Sequence, residues 1–142
     1  MKTVGDLLKA KGYAIWSISP LATVFQALEL MAAKDVGALP VVQNDKLVGI
    51  FSERDYARKV ILKGKASKDT TVSELMTQTV LYTSPENTFE DCMALMTSKQ
   101  IRHLPVLDHG RLAGIITLGD VVKQIISDQR FTISELEKYV GG

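Results

Sequence analysis

The sequence predicts an α/β (α+β) fold in which two tandem β-α-β-β-α units pack with pseudo-twofold symmetry, flanked by short N- and C-terminal helices. The main observation is an internal repeat: residues 19–55 align without a gap with residues 84–120, at a constant offset of 65 residues. Ser-Pro, Leu-Met, Leu-Pro-Val and Gly-Ile occur at equivalent places in both copies. Chance similarity does not keep register over such a length, so the chain contains one structural unit twice.

Each copy carries the signals of a helix followed by a β-hairpin. Apolar residues recur at helical spacing before the hairpin, and the matching sets are Val24, Ala27, Leu28 and Met31, then Phe89, Cys92, Met93 and Met96. In the first copy the apolar runs 39–42 and 47–51 flank the polar residues 44–46, which suits a tight turn between two strands. A short strand is predicted at 14–18, and Thr3 with Asp6 predicts the start of an N-terminal helix over residues 3–11.

The polar segment 63–69 separates the two copies. It predicts a first repeat with its N-terminal helix at 1–65, a second repeat at 66–128 and a C-terminal helical tail at 129–142. The tail places Ile133, Leu136 and Val140 on one side of a helix. Neither repeat has an obvious partner for that side.

Composition narrows the class of protein. The chain has 142 residues, 46% of them hydrophobic, which is enough for a core of ordinary size. A net charge of +1 gives no global field for nucleic acid. The single Cys92 excludes an intramolecular disulfide, and no apolar run approaches the ~18 residues of a membrane span. We therefore expect a soluble cytoplasmic protein that uses neither nucleic acid nor membrane as a partner.

The chemistry is expected at two equivalent strand-to-helix junctions, one with Ser52 and Asp55 and one with Thr117 and Asp120. A hydroxyl in the first turn of a helix lies beside unpaired backbone N–H groups, where phosphate oxygens bind well. A carboxylate three residues later can accept hydrogen bonds from the hydroxyls of a ribose. Together these groups suit a nucleoside phosphate.

The same spacing also describes a helix capping box, in which hydroxyl and acid only satisfy the ends of the backbone. Thr3/Asp6, Thr71/Glu74, Thr88/Asp91 and Thr132/Glu135 share that spacing, so spacing alone favours capping. The internal repeat favours the interpretation of these residues as a binding site. It places both junctions at equivalent strand ends, where two symmetric halves are expected to form a shared cleft.

The doubled pattern Ser-Pro-x-x-Thr, then Leu-Pro-Val, then Gly-Ile-x-Ser/Thr-x-x-Asp resembles the cystathionine-β-synthase (CBS) domain, here as a tandem pair or Bateman module. The resemblance covers residues 3–126. It implies a regulatory module that binds adenosine derivatives, such as AMP, ADP, ATP or NAD(H), in clefts between repeats. It also implies a homodimer that signals to a downstream protein, and no catalytic cofactor or metal.

Carried over to this sequence, the resemblance implies one site on Ser52 and Asp55 and another on Thr117 and Asp120. The segments before each Leu-Pro would line the adenine pocket, and they are Val36, Gly37 and Ala38, then Ile101, Arg102 and His103. Thr77 would reach the ligand held by Asp55. The first copy departs from the pattern, because Lys9-Ala10-Lys11-Gly12 follows Leu8 without a matching Thr.

A difference between the junctions predicts that the two sites are not equivalent. Arg54 precedes Asp55 and can pair with phosphate, whereas Gly119 precedes Asp120. The second site would then draw its cation from Arg102 or His103. Catalysis has little support, since the sequence contains no phosphate-binding glycine loop, no metal-ligand spacing and no nucleophile elbow. The alternative to a sensor is a structural or interaction module whose clefts hold no physiological ligand.

Overall fold

The computed structural model describes residues 2–64 and 66–140, with side chains of the last helix described to Asp128 and at Glu137. The helices are α1 (Val4–Lys11), α2 (Val24–Lys34), α3 (Glu53–Asp55), α4 (Val72–Leu75), α5 (Phe89–Lys99) and α6 (Leu118–Val140). The strands are β1 (Ala38–Gln43), β2 (Lys46–Ser52), β3 (His103–Asp108) and β4 (Arg111–Thr117). A π-helical segment, Tyr56–Ile61, continues α3.

Each repeat is built on one antiparallel hairpin, as the sequence predicts. Pro40 lies opposite Ile50 in the first hairpin, and Pro105 lies opposite Ile115 in the second, so the two hairpins share the same register. The first turn uses Asn44 at φ 52° and the next residue at φ 62°, a left-handed pair that matches the twist of the strands. The predicted α/β architecture with two equivalent repeats is confirmed.

The predicted strand at 14–18 is wrong apart from its last residue. Only Ile18 pairs, in parallel, with Val41, and the equivalent bridge in the second repeat joins Thr83 to Val106. Ser19 and Pro20 begin the turn that leads into α2, so the chain leaves the edge of β1 directly after Ile18. One bridging residue is therefore all that remains of this strand in each repeat.

The short helices α1 and α4 pack against the repeat that they do not precede. Val4, Leu7 and Leu8 of α1 are buried with the core of the second repeat, and Val72 and Leu75 of α4 are buried with the core of the first. This exchange ties the two repeats together, because each core is completed by a helix that the other half of the chain supplies.

Two glycines at equivalent places in β2 and β4 permit this packing. A Cβ added to Gly49 would lie 2.5 Å from Met76 Sδ and 3.1 Å from the backbone oxygen of Thr77. A Cβ added to Gly114 would lie 2.8 Å from Leu8 Cδ2. The Gly-Ile of the repeat is therefore explained by the close approach of α1 and α4 to the strands.

The C-terminal tail is part of one 23-residue helix, since α6 runs without interruption from Leu118 to Val140. Residues 120–140 contain neither Gly nor Pro, so nothing in the sequence ends the helix at the predicted repeat boundary. The predicted stripe Ile133, Leu136 and Val140 lies outside the described side chains. Within residues 2–64 and 66–140, no helix combines the length and the apolar character that crossing a membrane requires.

Candidate ligand-binding cleft

A cleft of about 460 Å³ lies at the first strand-to-helix junction, between the two repeats. Eight of the predicted site residues line it: Gly37, Ser52, Arg54, Asp55, Thr77, Ile101, Arg102 and His103. The remaining lining residues are Ile50, Glu53, Thr79 and Leu81. Residues that are distant in the sequence, and that come from both copies, are therefore brought together in one place.

Asp55 forms the polar floor of the cleft. Its side chain is buried, with 8% of the residue exposed. Carboxylate Oδ2 accepts a hydrogen bond from the backbone N–H of Ser52 at 3.0 Å and another from the Ser52 hydroxyl at 3.1 Å. The backbone N–H of Asp55 donates in return to Ser52 Oγ at 3.2 Å. The capping box is therefore formed, yet it stands in a cleft rather than on an open surface.

The other carboxylate oxygen of Asp55 is held by groups from two further elements. Lys59 Nζ lies 3.1 Å from Oδ1 and also donates to the carbonyl of Leu75 at 3.0 Å. The Thr77 hydroxyl donates to the same oxygen at the long distance of 3.4 Å. Lys59 belongs to the π-helical segment, a type of helix often found at functional sites.

Thr77 is positioned by its backbone. It forms an antiparallel bridge with Ile50, with hydrogen bonds of 2.9 Å and 3.0 Å in the two directions. The helix α4 ends before it, because Met76 already has an extended backbone with ψ 152°. The chain that follows α4 can thus run along β2 and place Thr77 in the cleft beside Asp55.

Three basic side chains from the two repeats surround the cleft. Arg54 Nη1 donates to the carbonyl of Gln100 at 2.9 Å, so its guanidinium already contacts the C-terminal end of α5. Arg102 is exposed at the rim. Burial lowers the pKa of His103, and the negative charge of Glu53 offsets only part of that shift. Burial therefore favours the neutral imidazole. The cleft therefore offers two guanidinium groups and a neutral ring that can gain a proton beside an anion.

Part of the wall is apolar, and of its residues only Ile101 was predicted by the sequence analysis. Ile50, Leu81 and Ile101 line the cleft on its apolar side. Ile50 is the Ile of the repeated Gly-Ile, so the repeat itself carried a signal for it. Glu53, Thr79 and Leu81 had no comparable signal, because only the packing of the repeats brings them together.

Two predicted lining residues lie elsewhere. Ala38 is 3% exposed and belongs to the buried face of β1, and Val36 packs against the core of the first repeat. Gly37 itself is closely approached, since an added Cβ would lie 3.2 Å from His103 Nε2.

The second junction has the same backbone geometry but a different partner. The backbone N–H of Thr117 donates to Asp120 Oδ2 at 2.9 Å, and Asp120 N–H donates back to Thr117 Oγ1 at 3.0 Å. Lys11 Nζ lies 2.6 Å from the same carboxylate oxygen. Arg102 and His103, the predicted sources of a cation for this site, line the cleft at Asp55, although His103 is also paired with Thr117 in the second hairpin and interacts electrostatically with Asp120.

The electrostatics of Asp120 follow from these contacts. Burial alone raises its pKa, but the hydrogen bonds from Lys11 and from Thr117 outweigh burial and hold the pKa below its usual value. Neither Thr117 nor Asp120 lines the cleft of the first junction. Within the described part of the chain, no group of three or more His, Cys, Asp or Glu side chains is placed to hold a metal ion.

This architecture of two exchanged repeats with paired junctions is that of the CBS domain. The family model described as "CBS domain" matches the chain twice, over residues 4–62 and 72–127. The chain therefore belongs to the CBS-domain family, as a tandem pair.

Relatives of similar size support this assignment. The chain is 35% identical to the mitochondrial CBS domain-containing protein CBSX3 of Arabidopsis thaliana, covering 99% of this chain and 72% of that protein. It is 34% identical to the CBS domain-containing protein YhcV of Bacillus subtilis, covering 91% and 89%. A solved CBS-domain protein of Burkholderia ambifaria, assigned to signal transduction, has 49% identity and a TM-score of 0.87 over 90% of this chain and 96% of that one. Inosine-5'-monophosphate dehydrogenase of Methanocaldococcus jannaschii is also similar, but the match covers only 21% of that enzyme.

Proposed function

We propose that this protein is a regulatory sensor that binds one of the adenine nucleotides AMP, ADP, ATP or NAD(H) in the cleft at Asp55 and has no catalytic activity of its own. The observation that carries the proposal is a buried, hydrogen-bonded carboxylate in a cleft whose wall is partly apolar and whose rim is cationic. These three environments correspond to the three parts of a nucleotide.

Each part of the ligand has a matching surface. The base packs against the apolar wall formed by Ile50, Leu81 and Ile101. The ribose hydroxyls donate to Asp55, displacing the weak contact with Thr77 or the ion pair with Lys59. The phosphates then lie towards the guanidinium groups and His103, where charge-assisted hydrogen bonds are strongest.

We also propose that the sensor acts as a homodimer that conveys the bound state to a downstream protein. Ile61 and Leu62, which follow the first junction, are 60% and 78% exposed, and Val122 and Ile126 of α6 are 39% and 44% exposed. Ile61 and Ile126 are equivalent in the two repeats, so the apolar surface is duplicated with the fold. Exposed patches of this kind mark interfaces. A hexameric CBS-CP12 protein among the structural neighbours, 28% identical with a TM-score of 0.76, is an assembly of related modules.

A thermal unfolding scan with AMP, ATP and NAD tests the proposal on protein first freed of bound nucleotide, as judged by absorbance near 260 nm. A ligand that binds only the folded chain, present at 100 times its dissociation constant, stabilises by about 2.7 kcal/mol. This corresponds to several degrees in melting temperature for a chain of this size. If none of the nucleotides shifts the transition at millimolar concentration, the module is structural and the sensor proposal is wrong.

A further inference from the structure

Lys11 reaches the second junction from the exchanged helix α1, whereas the lysine at the first junction, Lys59, comes from the helical turn next to Asp55. Its ammonium contacts Asp120 Oδ2 at 2.6 Å and donates to the carbonyl of Ile115 at 2.8 Å. The side chains of Lys11 and Asp120 are 33% and 27% exposed, so water screens the pair in part. One side chain thus satisfies a carboxylate and a strand carbonyl together.

These two contacts are the ones that Thr77 makes at the first junction. Ile115 is the counterpart of Ile50, whose carbonyl accepts from the backbone N–H of Thr77 at 2.9 Å. Asp120 is the counterpart of Asp55, whose Oδ1 accepts from the Thr77 hydroxyl at 3.4 Å. A backbone amide and a weakly bonded hydroxyl at one junction are therefore replaced by a single charged group at the other.

The replacement follows from the lengths of the two exchanged helices. Leu8 of α1 packs against Gly114 as Met76 packs against Gly49, so the helices are anchored at equivalent points. The helix α4 ends at Leu75, whereas α1 continues to Lys11 and ends at Gly12 with φ 103°. The additional turn of α1 carries the lysine past the anchor and over the end of β4.

We propose that Lys11 closes the second junction to nucleotides, so that each chain binds one nucleotide and not two. This inference rests on the proposed function, because it assumes that the first junction is a nucleotide site. A ribose at Asp120 must displace an ion pair of 2.6 Å, whereas at Asp55 the ion pair with Lys59 is longer, 3.1 Å, and the hydrogen bond from Thr77 is 3.4 Å. Lys11 is thus the residue that makes the duplicated sites unequal.

Isothermal titration calorimetry with AMP, ATP and NAD measures the number of sites in the wild-type chain, Lys11→Met and Lys11→Gln. Gln keeps a donor for the Ile115 carbonyl without the charge, which guards against a folding defect in the Met variant. Lys9→Gln is the matched control, since Lys9 lies in the same last turn of α1, is exposed and makes none of these contacts. Circular dichroism verifies that each variant is folded.

We expect one nucleotide per chain for the wild type and Lys9→Gln, and two for at least one Lys11 variant, with the additional site lost again when Asp120→Ala is added. The inference would be overturned by two sites in the wild type or by an unchanged number of sites in both Lys11 variants. It would also be overturned by fewer sites in the Lys11 variants, a result that would instead make Lys11 a phosphate contact. If the wild type binds nothing and a Lys11 variant binds one nucleotide through Asp120, the proposed function of the first cleft fails while the role of Lys11 stands.

Discussion

Capping and ligand binding can be separated at Asp55 by comparing it with an acid that only caps. The chain provides such an acid in Asp91, whose carboxylate accepts from the backbone N–H of Thr88 at 3.0 Å and whose own backbone N–H donates to Thr88 Oγ1 at 3.1 Å. Asp91 is exposed at the start of α5 and lines no described cleft, whereas Asp55 has the same reciprocal bonds inside one. The variants Asp55→Ala and Asp91→Ala therefore remove the same local interaction from two different environments.

The structure sets the size of both effects. Removing the acid of a capping box costs about 0.5–2 kcal/mol, by analogy with the loss of an N-cap side chain. We expect this cost in both variants, with Asp55→Ala at the upper end, because it also leaves Lys59 without its carboxylate. For nucleotide binding, losing hydrogen bonds to a charged group costs about 1.5–3 kcal/mol, which is about 10- to 150-fold in affinity. Only Asp55→Ala should show that second loss.

The assay is denaturant unfolding for stability and calorimetry for nucleotide affinity, both measured on the same preparations. Asp55→Asn is added because the amide keeps the shape and one acceptor while losing the charge, and it should fall between the wild type and Asp55→Ala in affinity. The reasoning is refuted if Asp55→Ala and Asp91→Ala lose the same stability and neither changes nucleotide affinity, since Asp55 would then be a cap and nothing more.

Two further predictions concern packing and assembly. Gly49→Ala should lower the free energy of unfolding by about 1–3 kcal/mol, and Gly114→Ala should lower it by less. The new methyl group at Gly49 meets a backbone oxygen at 3.1 Å, whereas the one at Gly114 meets only the end of the Leu8 side chain. Denaturant unfolding compares the two variants, and equal losses would contradict this account. Light scattering should give about twice the 15.6 kDa of one chain. Ile126→Lys should shift this mass towards that of a monomer, whereas Leu21→Lys, at an exposed residue that precedes α2 in the first repeat, should not. A monomer at all concentrations would exclude the homodimer.

The repeat made the hairpins and the first cleft predictable. The polar turn residues and the flanking apolar runs determine the register of the hairpins, so the same residues meet in both copies. Each strand-to-helix junction is local, and its hydroxyl and acid lie three residues apart. The positions of Ser52 and Asp55 could therefore be deduced before any packing was known.

The exchange of α1 and α4 could not be deduced in the same way. Sequence order places α1 beside the first repeat, whereas its buried residues complete the core of the second. Nothing in the period of an amphipathic helix says which of two equivalent surfaces it covers. The lysine that reaches Asp120 escaped prediction for this reason, since 109 residues separate the two in sequence.

The interpretation of Arg54 needed the structure for a different reason. Its guanidinium beside the first junction suggested a phosphate contact, but that group donates to the carbonyl of Gln100 in the other repeat. Gln100 ends α5 in a left-handed conformation with φ 54°, which leaves carbonyls of that helix available to a cation. A side chain with five donors can keep this contact and still offer others to a ligand.

These contacts give the two junctions different mechanical roles. At the first, Arg54 links the repeats through one hydrogen bond to Gln100, and Asp55 is held by groups that a ligand can replace, so occupancy can change how the repeats meet. At the second, Lys11 ties α1 to β4 and to Asp120 by two short contacts that need no ligand. A ligand shifts an equilibrium only by its differential affinity for two arrangements. If the nucleotide site is at Asp55, as proposed, we expect any response to arise at the first junction, where the ion pair with Lys59 is longer than that of Lys11 with Asp120.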